Sequence, residues 1–212
     1  MARSATFEKR VIDHVISANG GQHQPGSDVY VFRSVENYGL ETDEVQWEGH
    51  RLNVNASVWK AALREFRCNR QEIEQATALA GFGTGGAVAL AVALMKNSPM
   101  KEETMTTVYT FASPPLGCTN INHLLLKKVS LYRYKMNGDP VSTQGFEFSH
   151  AAPPILIGAA ASFYCLTRLL YRITAIFGNY RVGPFTLDAY SKELSHLTEY
   201  DDAFEVICPL SL

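Results

Sequence analysis

Residues 79–94 read LAGFGTGGAVALAVAL, a cluster of glycines between two apolar runs. Two readings compete for it. Gly81, Gly83 and Gly86 spell G-x-G-x-x-G, the pattern of a loop that cradles a dinucleotide pyrophosphate. The same residues also fit G-x-S-x-G, the sharp strand-to-helix turn on which a serine nucleophile stands, with glycine in the serine's place. A dinucleotide site requires an acidic residue about twenty positions further on, at the end of the next strand. Here that strand ends Phe111-Ala112-Ser113, while Glu102 and Glu103 precede it. The fingerprint also belongs to a first βαβ unit, whereas this cluster follows about eighty residues of chain. The nucleotide reading is the weaker one.

The flanking pattern supports a strand-turn-helix context. Ala76–Ala80 reads as a small-residue strand, and Gly86–Lys96, rich in Ala, Leu and Val, as a buried helix. Upstream, Phe7, Val11, Ile12, Val15 and Ile16 recur at helical spacing until Gly20 and Gly21. Asp28–Val35 (DVYVFRSV) is β-rich, the polar stretch Glu36–Gly49 reads as a loop, and Ser57–Cys68 has helical spacing. Downstream, Thr107–Ser113 reads as a strand, Ile121–Lys128 as a helix and Ser130–Met136 as a further strand. Strands alternating with helices predict an α/β fold, a mainly parallel sheet with helices on both faces.

Composition narrows the function classes. A chain of 212 residues, 46% hydrophobic and 19% charged, is expected to form a single domain over 1–212. The formal charge of −2 and the lack of a basic stripe with interleaved aromatics predict no nucleic-acid partner. Cys68, Cys118, Cys165 and Cys208 are scattered without a C-x-x-C pair, and His14, His23, His50, His123 and His150 show no ligand spacing. No metal and no cofactor are therefore expected. The N-terminal stretch lacks the continuous apolar core of a signal peptide, and Glu8 and Asp13 count against a transit peptide. An intracellular location follows as the expectation, with a membrane surface as a place of contact.

Four motifs in order resemble those of the class-three, fungal lipase-like lipases, members of the α/β-hydrolase superfamily. The glycine turn is similar to the family's G-H-S-L-G-G. FASPPLG (Phe111–Gly117) resembles the F-G-S-P-R-V-G that follows the nucleophile. YKMNGDPV (Tyr134–Val141) resembles the strand end that carries the triad aspartate before proline, and SHLTEY (Ser195–Tyr200) the C-terminal histidine motif. DVYVFRSV is also similar to the early V-x-x-F-R-G-T strand whose end supplies part of the oxyanion hole. The resemblance runs from about Asp28 to Tyr200, and the order nucleophile, Asp, His is that of α/β-hydrolases.

Carried over by motif, the resemblance makes Asp139 the aspartate, His196 the histidine and Gly83 the nucleophile position. It also makes the backbone amides of Val35 and Thr84 the oxyanion donors. The departures are as informative as the matches. Phe82, Gly83 and Thr84 stand where the family has His, Ser and Leu, and Ser34-Val35 where it has Gly followed by Thr or Ser. A serine triad attacks through the hydroxyl, and glycine has none. Thr84 heads the helix and is expected to point elsewhere, and Ser113 matches a structural serine. The implied protein is a lipase-like pseudoenzyme. The alternative is an active or weakly active acyl-ester hydrolase in which Asp139 and His196 activate a water.

One segment lies outside these motifs. Ala151–Thr167 is a run of 17 uncharged residues followed by RLLYRITAIF, short of the roughly 20 needed to span a membrane. It reads as an apolar helical insertion at about 151–180, with Pro153 and Pro154 at its start. Phe163, Tyr164, Leu166, Leu169, Leu170 and Tyr171 would anchor a contact, with Arg168 and Arg172 at its edge, meeting acidic partner residues or lipid headgroups. The expected roles are thus a structural or adaptor subunit of a larger, membrane-associated assembly, or a lipid binder.

Overall fold

The computed structural model describes residues 5–19, 28–35, 38–98, 105–136, 139, 148–157 and 186–199. Its frame is a five-stranded sheet of β1 (Val29–Phe32), β4 (Ala78–Phe82), β5 (Thr106–Phe111), β6 (Val129–Met136) and β7 (Ile155–Ile157), in the order β1-β4-β5-β6-β7. Every neighbouring pair in it runs parallel. A separate antiparallel pair joins β2 (Thr42–Trp47) to β3 (His50–Asn55).

Both faces of the sheet are covered, as the alternation of elements predicts. On one face lie α2 (Ala56–Cys68), α3 (Arg70–Gln75), α4 (Thr84–Lys96) and α5 (Thr119–Lys128), packed with Leu79, Val108 and Val129. On the other, α1 (Ala5–Asn19) and α6 (Leu187–Glu199) bury Val11, Ile12, Val15, Tyr190 and Leu194 against Ala78, Ala80, Tyr109 and Phe111. Tyr109 stacks on its register partner Tyr132, and Phe111 on Tyr134, so cross-strand aromatics tie β5 to β6 on that second face.

α4 is the central helix. Its residues from Gly85 to Met95 are all buried, which suits an element apolar on every side. It can lie close to the sheet only because of its glycines. A Cβ on Gly81 would stand 2.3 Å from the Gly85 carbonyl, and a Cβ on Gly85 would stand 2.4 Å from the carbonyl oxygen of Phe32. The cluster that resembles a phosphate cradle is a packing seam.

Three elements depart from the sequence reading. The stretch Glu36–Gly49, read as a loop, contains β2, which turns into β3 at Glu48-Gly49 with φ of +47° and +80°. Two successive positive φ values give the tight hairpin turn that matches strand twist. Lys128 Nζ holds the turn through Glu48 Oε2 at 2.5 Å. The helical insertion read from about 151 instead begins with a strand, because Ile155–Ile157 pairs with Tyr134–Met136 as part of the main sheet. Pro153 and Pro154 therefore precede a strand. α4 also begins at Thr84, directly after the turn, and not at Gly86.

Candidate active site

The C-terminal ends of β4, β5 and β6 converge where α/β sheets hold their sites. β4 ends at Phe82, α4 starts at Thr84, and Gly83 alone makes the turn, with φ +56° and ψ −132°. That conformation is open to glycine and strained for any other residue. The turn is fixed by the Gly83 N–H, which donates to the Phe111 carbonyl at 2.8 Å. Gly83 thus keeps the geometry of a nucleophile elbow without the nucleophile. Among the described residues, a Cβ there would meet one neighbour within 4 Å, the Ser34 hydroxyl at 3.5 Å, so they leave space for a side chain.

Residues 33–35 leave the end of β1 and lie over this turn. The Ser34 hydroxyl donates to the Phe82 carbonyl at 3.1 Å. The Val35 N–H, expected to face an oxyanion, donates to the hydroxyl of Thr84 at 2.7 Å. This corrects two expectations. Thr84 does not point away from the site, and the Val35 amide is already engaged. Ser113 is structural as expected: it is buried, and its hydroxyl donates to the Pro114 carbonyl at 2.9 Å.

Asp139 lies just beyond β6, 1% exposed, with its N–H donating to the Met136 carbonyl at 3.1 Å. Its Oδ2 accepts the hydroxyl of Tyr190 at 2.5 Å, and that hydroxyl in turn accepts the Met136 N–H at 2.9 Å. Burial, and then the Asp139 charge, raise the Tyr190 pKa well above that of an ordinary phenol, so it donates as a neutral hydroxyl. The Tyr190 ring meets the Phe82 ring edge-on at 5.6 Å. Elbow and carboxylate are therefore joined through one tyrosine of α6.

Sequence reading missed Tyr190. A signal existed: Leu187, Tyr190 and Leu194 fall at helical spacing, and a tyrosine in such a stripe brings a polar tip that needs a partner. The backbone of His196 belongs to α6, the helix that Tyr190 pins; its side chain lies outside the described residues. Phe163, Tyr164, Leu166, Arg168, Leu169, Leu170, Tyr171 and Arg172 also lie outside them. Among the described residues no cluster of His, Cys, Asp and Glu could hold a metal, and no helix is long and apolar enough to cross a membrane.

A parallel sheet wrapped by helices, with a positive-φ elbow after β4 and a buried aspartate after β6, defines an α/β-hydrolase-type protein. The chain belongs to the class 3 lipase family: the sequence model of lipase (class 3) matches residues 27–147, more than half of it. No curated protein matches it in sequence. Among solved structures it is similar to a fungal lipase in complex with an inhibitor, from which a model for interfacial activation was drawn. The TM-score is 0.51 at 15% identity, over 63% of this chain and 57% of that one. Lipase from Rhizopus microsporus var. chinensis (TM-score 0.48, 15% identity, 64% and 54%) and lipase II from Rhizopus niveus (0.46, 15%, 58% and 51%) also match. At such identity the likeness concerns the fold alone. The chain spans about half the length of these lipases.

Proposed function

We propose that this chain is a non-catalytic member of the class 3 lipase family, a lipase-like pseudoenzyme that serves as a structural or adaptor subunit of a larger, membrane-associated assembly. The observation that carries the reading is Gly83 at the elbow. With no side chain there, no acyl-enzyme forms at that position. The Val35–Thr84 hydrogen bond adds to this, since the amide is spent internally, and loss of one oxyanion donor costs about a hundredfold or more in rate. Fold and packing are kept around a turn that has lost its reactive group.

The adaptor role draws on apolar surface. Leu156 is 61% exposed on β7, an edge of the described sheet, and Leu126 is 53% exposed on α5. The run from Gly158 to Phe177 supplies further apolar side chains, with Arg168 and Arg172 suited to an acidic partner or lipid headgroups.

The test is hydrolysis of short- and medium-chain p-nitrophenyl esters by the purified chain. The expected rate equals background. Turnover that survives purification and vanishes in His196→Ala would establish the alternative, a weak hydrolase in which Asp139 and His196 activate water. Native purification followed by subunit analysis tests the adaptor role: co-purifying subunits are expected, and a free monomer contradicts it.

A further inference from the structure

The buried carboxylate of Asp139 accepts its hydrogen bond from α6, the helix that also carries the backbone of His196. Tyr190 and Leu194, at 0% and 2% exposure, mark the side of α6 that faces the sheet. His196 follows Tyr190 by six residues, which on an α-helix is about 9 Å further along the axis and about 120° around it. It follows Leu194 by two residues, about 160° around the short way. Position 196 therefore stands across the helix axis from the sheet-facing stripe.

Side chains on a helix lean toward its N-terminus, away from position 196. The phenol of Tyr190 extends from that stripe to Asp139, so the carboxylate lies beyond the tyrosine and roughly 10 Å or more from the His196 backbone. A histidine side chain is too short to bridge such a gap. The tyrosine itself is held from three directions. Its hydroxyl donates to Asp139 at 2.5 Å and accepts the Met136 N–H at 2.9 Å, and its ring meets Phe82 edge-on. Phe82 stands where the resembling elbow motif has histidine, so this departure at the elbow supplies a packing surface for Tyr190.

We propose that Tyr190, and not His196, is the α6 partner of Asp139: the carboxylate anchors α6 on the sheet, and no Asp139–His196 dyad forms. A buried carboxylate with a close hydroxyl donor is a stable arrangement in its own right. This gives Asp139 a role in a chain whose elbow lacks a nucleophile. The role rests on the non-catalytic reading, and it takes from the alternative its water-activating pair.

The experiment is an NMR titration of the His196 side chain in the wild-type chain and in Asp139→Asn, with His196→Gln to assign the resonance. A carboxylate within about 4–6 Å raises a histidine pKa by about one unit or more, whereas one about 10 Å away is largely screened at 0.1 M salt. Asp139→Asn should therefore move the His196 pKa by less than about half a unit. A fall larger than that would overturn the assignment. Hydrogen exchange in Tyr190→Phe decides if Asp139→Asn fails to fold. The α6 amides should exchange about tenfold faster or more than in the wild-type chain, because one bond to a buried carboxylate is gone. Unchanged protection of α6 would likewise overturn the anchor. The two proposals fail separately. A coupled Asp139 and His196 would still leave Gly83 without a nucleophile, and ester turnover without that coupling would end the non-catalytic reading while leaving the anchor in place.

Discussion

The N–H of Val35 and the hydroxyl of Thr84, 49 positions apart in sequence, form a 2.7 Å hydrogen bond across the elbow. Leucine, the family's residue at this position, has no acceptor to offer an amide. On the proposed reading, Thr84 thus ties up the loop that would supply an oxyanion donor, and adds to the lack of a side chain at Gly83. Restoring a serine should therefore not suffice. Gly83→Ser alone is expected to react with a fluorophosphonate at the background rate. Adding Thr84→Val should release the Val35 amide and raise that rate about a hundredfold over the single variant. Equal rates in the two proteins would mean that the bond is no obstacle.

Gly83→Ser also bears on stability. The described residues leave room for the new side chain, but φ +56° with ψ −132° strains any non-glycine residue. Urea unfolding should show a loss of about 1–3 kcal/mol.

The neighbouring glycines answer to a different constraint. Gly85→Ala places a methyl 2.4 Å from the Phe32 carbonyl oxygen, which the parallel pairing of β1 and β4 holds in place. A destabilisation of about 1–3 kcal/mol or more follows from overpacking. A neutral result would show that α4 can move off the sheet.

Ala112 has φ +52°, and the resembling F-G-S-P-R-V-G motif has glycine there. Ala112→Gly should stabilise the fold by about 0.5–1 kcal/mol, because relief of left-handed strain outweighs the greater freedom of glycine in the unfolded chain.

Tyr190→Phe removes a hydrogen bond to a buried carboxylate and should cost about 1.5–3 kcal/mol near neutral pH. The pH dependence has a definite sign. The folded-state pKa of Tyr190 lies above its ordinary 10.0, so its contribution is fully present below pH 10 and is lost as the unfolded chain ionises above it. The gap between wild type and Tyr190→Phe, measured by urea unfolding, should narrow above pH 10 by about 1.4 kcal/mol per pH unit. A gap that stays constant from pH 9 to 11 would mean that the hydroxyl is not held as a neutral donor.

The main sheet was legible wherever burial imposed a pattern. Apolar strands at β4 and β5 and the all-apolar α4 announce themselves, and so does a glycine cluster between them. β2 hid because its TDEVQW alternates polar residues along a largely exposed strand. β7 hid because three apolar residues inside a longer apolar run carry no period of their own. The positions of Gly83 and Asp139 were readable from local motifs. The hydroxyl of Thr84 on Val35, and that of Tyr190 on Asp139, were not, since each joins elements that only the tertiary fold brings together.

The central claim is that the elbow of this lipase-family chain carries no nucleophile. Intact-protein mass spectrometry after incubation with a fluorophosphonate tests it most directly. The predicted result is an unmodified mass for the wild-type chain, under conditions that fully label an active serine lipase. A stoichiometric adduct that is absent from His196→Ala would contradict the account.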